Sequence, residues 1–304
     1  MRRVGAIGLA LAALLSACSS LDDVINTTAQ PAITTQPVEA TTSTSTTVAE
    51  TTTSTTETEP ETTVAPTTAP LAPPVFSGAL AVEVLNTYPH DTAAYTESLE
   101  FDLGSLIETT GLFGSSTRRQ VDPESGSTTQ LVELDPDLWG TGLTFIGETG
   151  FQVTRQRGLV ILFNQSDLSE FDRFTFEGEG WGLCATDELL YLSSGGSTLS
   201  VRDPMSFLET ASVSVTRDGT PAERLGELEC VGNQIWAVLW PTNTMVQFDQ
   251  SGVVTATADL SSLVPEGLSS EDTLAGIAYN DATGTFFVTG KRWPNVFELK
   301  LSNG

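Results

Sequence analysis

The chain has 304 residues and a formal net charge of −26, with 39 acidic residues against 13 basic ones. Nucleic acids and anionic lipid surfaces repel so acidic a protein, and neither is expected as a partner. His90 is the one histidine, which excludes a site built from several histidines, and no Cys/His cluster suggests a metal site. We expect a structural role for His90.

The first 18 residues have the pattern of an export signal. A positive start precedes an apolar run that ends at Leu15 and is too short for a stable membrane span. Leu15-Ser16-Ala17-Cys18 resembles the bacterial lipobox, in which the cysteine thiol receives a diacylglycerol and becomes the new N-terminus. This predicts a signal peptide over residues 1–18, lipidation of Cys18, and a protein held by lipid on the extracytoplasmic face of the cell membrane. An ordinary secretory signal with an incidental cysteine is the alternative.

Residues 19–74 are predicted to form a disordered stalk. The segment from Thr41 to Thr68 consists almost entirely of Thr, Ser, Glu, Pro, Ala and Val, without an aromatic residue. Such a composition buries too little apolar surface to offset the entropy lost on ordering. Residues 75–304 have the composition of a folded domain, and about 230 residues are enough for one sizeable core.

This domain is predicted to be all-β. Short apolar, β-branched runs alternate with turns rich in Gly, Asp, Asn and Pro, at Leu80–Leu85, Phe151–Thr154, Leu159–Phe163, Leu189–Leu192, Gln234–Leu239, Thr285–Thr289 and Phe297–Leu301.

A strand–turn–strand pattern also repeats about every 40–50 residues, which is typical of β-propellers. Its leading residues are Leu99, Leu143, Leu183, Leu228 and Ile277. Five repeats predict a five-bladed β-propeller, in which Ala81–Leu85 pairs with Phe297–Leu301 and removes the open edges. A β-sandwich is the alternative, but it does not explain the period.

Two cysteines, Cys184 and Cys230, lie within the domain. The sequence leaves open whether they form a disulfide or remain as buried thiols.

Tryptophans beside glycines or strand ends, at Trp181, Trp236, Trp240 and Trp293, recur in separate repeats together with Lys291. A single Trp usually belongs to a core. These tryptophans recur near strand ends, together with a lysine in a very acidic chain. A pocket lined by these residues is therefore as good an interpretation as a core role.

Several long and unusual motifs follow one another along the domain: Tyr88-Pro89-His90-Asp91, Glu108-Thr109-Thr110-Gly111-Leu112-Phe113-Gly114, Gly180-Trp181-Gly182-Leu183, Glu227-Leu228-Glu229 and Phe287-Val288-Thr289-Gly290-Lys291-Arg292-Trp293-Pro294. They resemble the plant-type glutaminyl-peptide cyclotransferases over about residues 79–301, nearly the whole domain. The resemblance implies a five-bladed propeller and conversion of N-terminal glutamine to pyroglutamate with release of ammonia. It implies that no cofactor is needed and that the partners are the N-termini of peptides or proteins. We also expect a monomer. The zinc-dependent animal type is excluded because it needs histidine ligands.

The resemblance also implies site residues. Lys291 matches the lysine of the family's Gly-Lys-x-Trp-Pro motif, a candidate for proton transfer or charge stabilisation, and Glu97 is the second catalytic candidate because it places a carboxylate in a motif near the channel. The implied substrate-binding residues are Tyr95, Trp181, Trp240, Glu227 and Glu229.

Departures from the family pattern fall at pocket positions. Thr141 stands where the family has the glutamate favoured as acid and base, and a hydroxyl does not ionise near neutral pH. Arg155, Gly226 and Ala275 replace a tryptophan and two asparagines. Three hypotheses follow: a cyclotransferase that uses Glu97, a propeller that binds peptides without turnover, and a structural lipoprotein whose rim contacts other proteins.

Overall fold

The computed structural model describes residues 73–304. The predicted signal peptide with Cys18, and the predicted stalk up to residue 72, lie outside the described residues. Within residues 73–304 the secondary structure consists of strands and one three-residue 3-10 turn, Ser261–Leu263, which confirms the all-β prediction. No helix in that part of the chain is long and apolar enough to cross a membrane.

The strands form five four-stranded antiparallel groups within the described residues, here called units I to V. Strand β1 (Gly78–Pro89) comes first in the chain but belongs to the last unit. Unit I contains β2 (Thr96–Asp102), β3 (Ser105–Thr110), β4 (Thr117–Val121) and β5 (Thr128–Glu133). Unit II contains β6 (Gly140–Ile146), β7 (Thr149–Thr154), β8 (Leu159–Asn164) and β9 (Glu170–Thr175).

The second half of the chain follows the same plan. Unit III contains β10 (Leu183–Ala185), β11 (Leu190–Leu192), β12 (Thr198–Arg202) and β13 (Glu209–Ser214), and a small hairpin follows it, β14 (Thr216–Arg217) and β15 (Thr220–Pro221). Unit IV contains β16 (Leu225–Val231), β17 (Gln234–Leu239), β18 (Thr244–Phe248) and β19 (Val254–Asp259). Unit V contains β20 (Leu274–Asn280), β21 (Thr285–Gly290), β22 (Asn295–Asn303) and β1.

The N-terminal strand closes the last unit, as predicted. β1 pairs antiparallel with β22 from Leu80 opposite Asn303 to Pro89 opposite Asn295. Its first residues also pair in parallel with β19 of unit IV. Unit V is thereby completed by a strand from the start of the domain, and the outer strand of the unit also joins unit IV.

The first strands of the five units contact one another in a closed sequence: β2 with β6, β6 with β10, β10 with β16, β16 with β20, and β20 with β2. The five predicted repeat leaders lie one on each of these strands, and each is at most 1% exposed. Five apolar clusters each join two neighbouring units. Trp236 and Trp293 belong to the cluster between units IV and V, so they are core residues.

Two further contacts hold the ring of units together. Cys184 on β10 and Cys230 on β16 form a disulfide, with their Cα atoms 5.4 Å apart, which decides the question that the sequence left open. His90 is buried at the closure point, where its ring nitrogens lie 2.7 Å from the Trp293 carbonyl oxygen and 3.1 Å from Glu108 Oε1. Its role is structural, because these contacts fix the segment that carries Lys291.

Candidate active site

A cavity opens at the end of the ring where the first strands begin and the second strands end. All five units contribute to its wall, which is lined by Glu97, Thr141, Arg155, Trp181, Gly226, Glu227, Val238, Trp240, Leu274, Ala275 and Lys291. Carboxylates, cations and aromatic rings therefore meet in one place, although they are spread over nearly 200 residues of sequence.

The repeat explains how the strands present these side chains. In four units the pairing of the first two strands shifts register near the start of the first strand, beside Glu97, Thr141, Glu227 and Ala275. Such bulges leave residues out of the ladder and redirect their side chains. Here they turn side chains of the innermost strands into the cavity.

A second set of wall residues follows the end of the second strand. The backbone N–H groups of Arg155, Trp240 and Lys291 donate to carbonyl oxygens of residues that precede the first strand of the same unit, at 2.9, 3.0 and 3.1 Å. In unit I the equivalent residue is Gly111, whose N–H donates to the Tyr95 carbonyl oxygen at 2.8 Å. A side chain there would collide with Trp139 and Glu97, so glycine leaves the room they occupy.

Glu97 and Lys291 form the central pair of the cavity. Lys291 Nζ donates to Glu97 Oε2 at 2.9 Å, and their side chains are only 6% and 9% exposed. Trp139 Nε1 donates to the other oxygen, Oε1, at 2.9 Å. Glu97 is thus held by one donor on each oxygen, with lone pairs left for a ligand.

Tyr95 supports this pair from the side. Lys291 Nζ lies 4.8 Å from the centre of the Tyr95 ring, and the ring meets Trp139 edge to face with centroids 5.9 Å apart. Burial and the charge of Glu97 raise the pKa of the Tyr95 hydroxyl. Tyr95 therefore contacts the lysine without lining the cavity wall.

Aromatic rings form the opposite side. Trp181 and Trp240 meet edge to face, with centroids 5.8 Å apart, and both line the cavity. The Arg155 guanidinium lies 4.6 Å from the Trp181 ring centre and 5.5 Å from that of Trp139. This wall can hold the aliphatic part of a small polar ligand against flat apolar faces.

Glu227 lies beside the central pair as a buried acid. Ser98 Oγ donates to its Oε1, while Oε2 has no partner within the described residues. Burial raises the pKa of Glu227 well above its ordinary value, and the charges of Glu100 and Glu97 add to this effect, against the opposing effects of Ser98 and Lys291. Burial therefore favours the neutral form of this carboxyl group.

Further acids continue from Glu227 away from the cavity. Glu229 is likewise buried on β16, does not line the cavity, and has an Oε2 atom without a partner among residues 73–304. Burial and the nearby charges of Glu100 and Glu227 raise its pKa well above the ordinary value. Burial likewise raises the pKa of Glu100 to about 8.

The positions that depart from the family pattern are also in the wall. The Thr141 hydroxyl lies 2.8 Å from the Gly180 carbonyl oxygen and 3.2 Å from that of Val153, to which it donates. It is occupied by backbone and 1% exposed, so it offers a ligand little. Gly226 and Ala275 add no polar group to the wall. Glu97 is consequently the one wall carboxyl paired with a cation.

The structure thus brings five of the seven predicted site residues to one wall: Glu97, Lys291, Trp181, Trp240 and Glu227. Tyr95 lies next to it and Glu229 below it. Two contributors were not among the predicted site residues, Trp139 as a donor to Glu97 and Arg155 as a cation on the aromatic face. Both stand at or near positions that depart from the family pattern: Trp139 precedes the substituted Thr141 by two residues, and Arg155 is itself a substituted position.

The arrangement can perform acid–base chemistry on a small amide or amine. It offers the Glu97–Lys291 ion pair, the buried Glu227 carboxyl group with its raised pKa, and aromatic walls. Within residues 73–304, no three or more His, Cys, Asp or Glu side chains are grouped so as to hold a metal ion.

Comparisons with known proteins agree with this class of site. The chain is 32% identical over 227 residues to the glutaminyl-peptide cyclotransferase of Arabidopsis thaliana, covering 72% of this chain and 71% of that protein. The crystal structure of the Myxococcus xanthus glutaminyl cyclase superposes with a TM-score of 0.70 at 32% identity, over 75% of this chain and 98% of that one.

A sequence model of the glutamine cyclotransferase family matches residues 48–301. The chain belongs to the glutamine cyclotransferase family.

Proposed function

We propose that this protein converts the N-terminal glutamine of peptides or proteins to pyroglutamate and releases ammonia. The observation that carries the proposal is the buried Glu97–Lys291 pair, which faces the aromatic wall of Trp181 and Trp240 in one cavity. It supplies a base and a cation where a glutaminyl side chain can be enclosed. Family membership and the similarity to the two cyclases support it.

The proposed reaction needs one proton shuttle. The α-amine attacks the side-chain amide carbon, which forms the ring C–N bond and an oxyanion. Glu97 accepts a proton from the attacking nitrogen and returns it to the leaving nitrogen as the second C–N bond breaks, and ammonia departs. Lys291 spends one N–H on Glu97 and keeps two donors for the oxyanion. No redox or covalent enzyme step is required.

We also infer that units I to V are the five blades of a β-propeller around a central channel. The closed sequence of first-strand contacts supports this arrangement, as do the five apolar clusters between neighbours. Closure of unit V by β1 joins the first and last strands of the domain, as a closed ring of blades requires.

For its location, we propose that the protein is a monomer anchored by a lipid on Cys18 to the extracytoplasmic face of the cell membrane. The Cys184–Cys230 disulfide supports an oxidising compartment. Metabolic labelling with a radioactive fatty acid tests the anchor: the wild type should be labelled and a Cys18→Ser variant should not.

A binding module without turnover is the second candidate. It is favoured by Thr141, whose hydroxyl is bound to backbone and cannot serve as the base. If turnover is absent, the cavity would still enclose a glutaminyl end between Trp181 and Trp240.

Ammonia release from a peptide such as Gln-Ala-amide, followed in a coupled assay, separates the two candidates. Wild-type protein should release ammonia, and Lys291→Ala should lose about 100-fold or more in kcat/KM. Lys300→Ala is the matched control, because the only other lysine of the chain is exposed on β22. Binding of the peptide by calorimetry without any ammonia release would favour the binding module.

A further inference from the structure

Arg155 occupies the cavity position that units IV and V fill with Trp240 and Lys291, immediately after the second strand. It lines the wall together with Glu97 and Lys291, and its side chain is 27% exposed. The repeat therefore directs this guanidinium to the mouth of the cavity rather than to the outer surface.

The guanidinium is held by aromatic stacking and leaves its donors free. It lies against Trp181 and Trp139, while within residues 73–304 its side chain makes no hydrogen bond. Its nearest carboxylate, Glu179, is 43% exposed, with Oε2 4.0 Å from Nε, and already accepts from Trp181 Nε1 at 3.1 Å. Stacking fixes the plane of an arginine without using its fork of N–H groups.

The buried arginines of the domain differ in this respect. Arg118 donates to the Leu168 carbonyl oxygen and to Gln152, Arg119 to Glu108 and Asp91, and Arg202 to the Phe207 carbonyl oxygen. Arg118 and Arg119 thus spend their donors on the fold, whereas Arg202, whose Nε has no partner within residues 73–304, does not line this cavity. Arg155 is thus the wall arginine with donors available to a ligand.

The charges around the cavity also favour binding of an anionic group at Arg155. Glu97 and Lys291 neutralise each other, and burial favours the neutral form of the neighbouring Glu227. The Arg155 guanidinium therefore brings a positive charge to the mouth, where its nearest carboxylate, Glu179, is 4.0 Å away and 43% exposed. An anionic group that enters there gains charge-assisted, bidentate hydrogen bonds, for which the arginine fork is suited.

We propose that Arg155 binds a carboxylate placed next to the reacting glutamine and so selects acidic substrates. This rests on the proposed function, which puts the glutamine side chain at Glu97 and Lys291 and leads the rest of the substrate outward past Trp181. The carboxylate has two sources: the side chain of Asp or Glu as second residue, or the α-carboxylate of free glutamine.

Kinetics with four substrates test the proposal: Gln-Glu-amide, Gln-Ala-amide, Gln-Lys-amide and free glutamine. With wild-type protein, kcat/KM for Gln-Glu-amide should exceed that for Gln-Ala-amide about tenfold, and Gln-Lys-amide should be the poorest peptide. Arg155→Gln should reduce the acidic-to-neutral ratio to about one, chiefly through KM. Arg155→Lys should restore part of it, because a point charge replaces the fork.

Arg157→Gln is the matched control: this arginine lies two residues further, is 55% exposed and pairs with Asp137 at 3.0 Å. It should leave the ratio unchanged. If the wild type turns over free glutamine better than Gln-Ala-amide and Arg155→Gln reverses that order, the α-carboxylate is the source. If the advantage is confined to Gln-Glu-amide, the source is the side chain of the second residue.

Equal kcat/KM for acidic and neutral peptides in the wild type would overturn the proposal, as would a ratio that survives in Arg155→Gln. If no substrate is turned over, the proposed function fails. The Arg155 proposal is then decided by dissociation constants from calorimetry, where the same tenfold preference for Gln-Glu-amide and its loss in Arg155→Gln are expected.

Discussion

Removal of Lys291 should destabilise the folded protein as well as lower its activity. Lys291→Ala leaves the Glu97 carboxylate almost buried, with Trp139 Nε1 as its remaining donor. Because the cation that balances it is gone, the folded state then carries an uncompensated charge.

The magnitude follows from the geometry. At a 2.9 Å separation and an effective dielectric constant of about 20, two unit charges attract by about 6 kcal/mol. Much of this offsets the desolvation of both groups, so breaking such a pair from one side costs about 3–5 kcal/mol. The cavity is open to solvent, and we expect about 3 kcal/mol.

Urea unfolding at pH 7 of wild type, Lys291→Ala, Glu97→Gln and the double variant completes a thermodynamic cycle. The double variant should be more stable than the sum of the single losses predicts, by about 2 kcal/mol, because it removes both charges. Additive losses, or a Lys291→Ala protein as stable as the exposed Lys300→Ala control, would refute the reasoning.

The remaining predictions concern pH, the disulfide and Thr141. Burial raises the pKa of Glu100 from 4.5 to about 8, so the folded state binds one more proton than the unfolded state between these pH values. The free energy of unfolding should therefore fall as pH rises, by up to about 1.4 kcal/mol per pH unit. Glu100→Gln should flatten this slope in denaturation series from pH 4 to 9, and an unchanged slope would contradict the prediction. The Cys184–Cys230 disulfide closes a separation of 46 residues, and Cys184→Ala with Cys230→Ala should cost about 2–4 kcal/mol in urea unfolding; titration of two free thiols in the unfolded wild type would show that the bond is absent. Thr141→Glu combined with Glu97→Gln should recover part of the ammonia release that Glu97→Gln loses, and no recovery would count against Thr141 as an alternative site for the base.

Sequence patterns were sufficient for the strands and their repeat because both depend on local hydrophobic periodicity. Leu99 and Leu183 mark first strands, since an apolar residue followed by a turn and a second apolar run is a local signal. Pairing of β1 with β22 was also predictable, because an unpaired end strand would expose a sheet edge. Lys291 and Trp181 were found through motifs.

The contacts that give the site its chemistry were not predictable in the same way. Trp139 meets Glu97 from another unit, 42 residues away, and no periodicity encodes such a contact. Arg155 stacks on Trp181 because two units adjoin there. Glu229 was predicted to bind substrate together with Glu227. Alternate residues lie at different positions along a first strand, and only Glu227 of the two reaches the cavity wall.

The carboxylate of Glu97 is the centre of this account, and its removal is the most direct test. The Glu97→Gln substitution keeps the size of the side chain and removes its basicity, and turnover of Gln-Ala-amide is the property to measure. We predict that kcat falls about 100- to 10,000-fold while calorimetry still detects peptide binding. A kcat within about threefold of the wild type would contradict the assignment of Glu97 as the group that moves the proton.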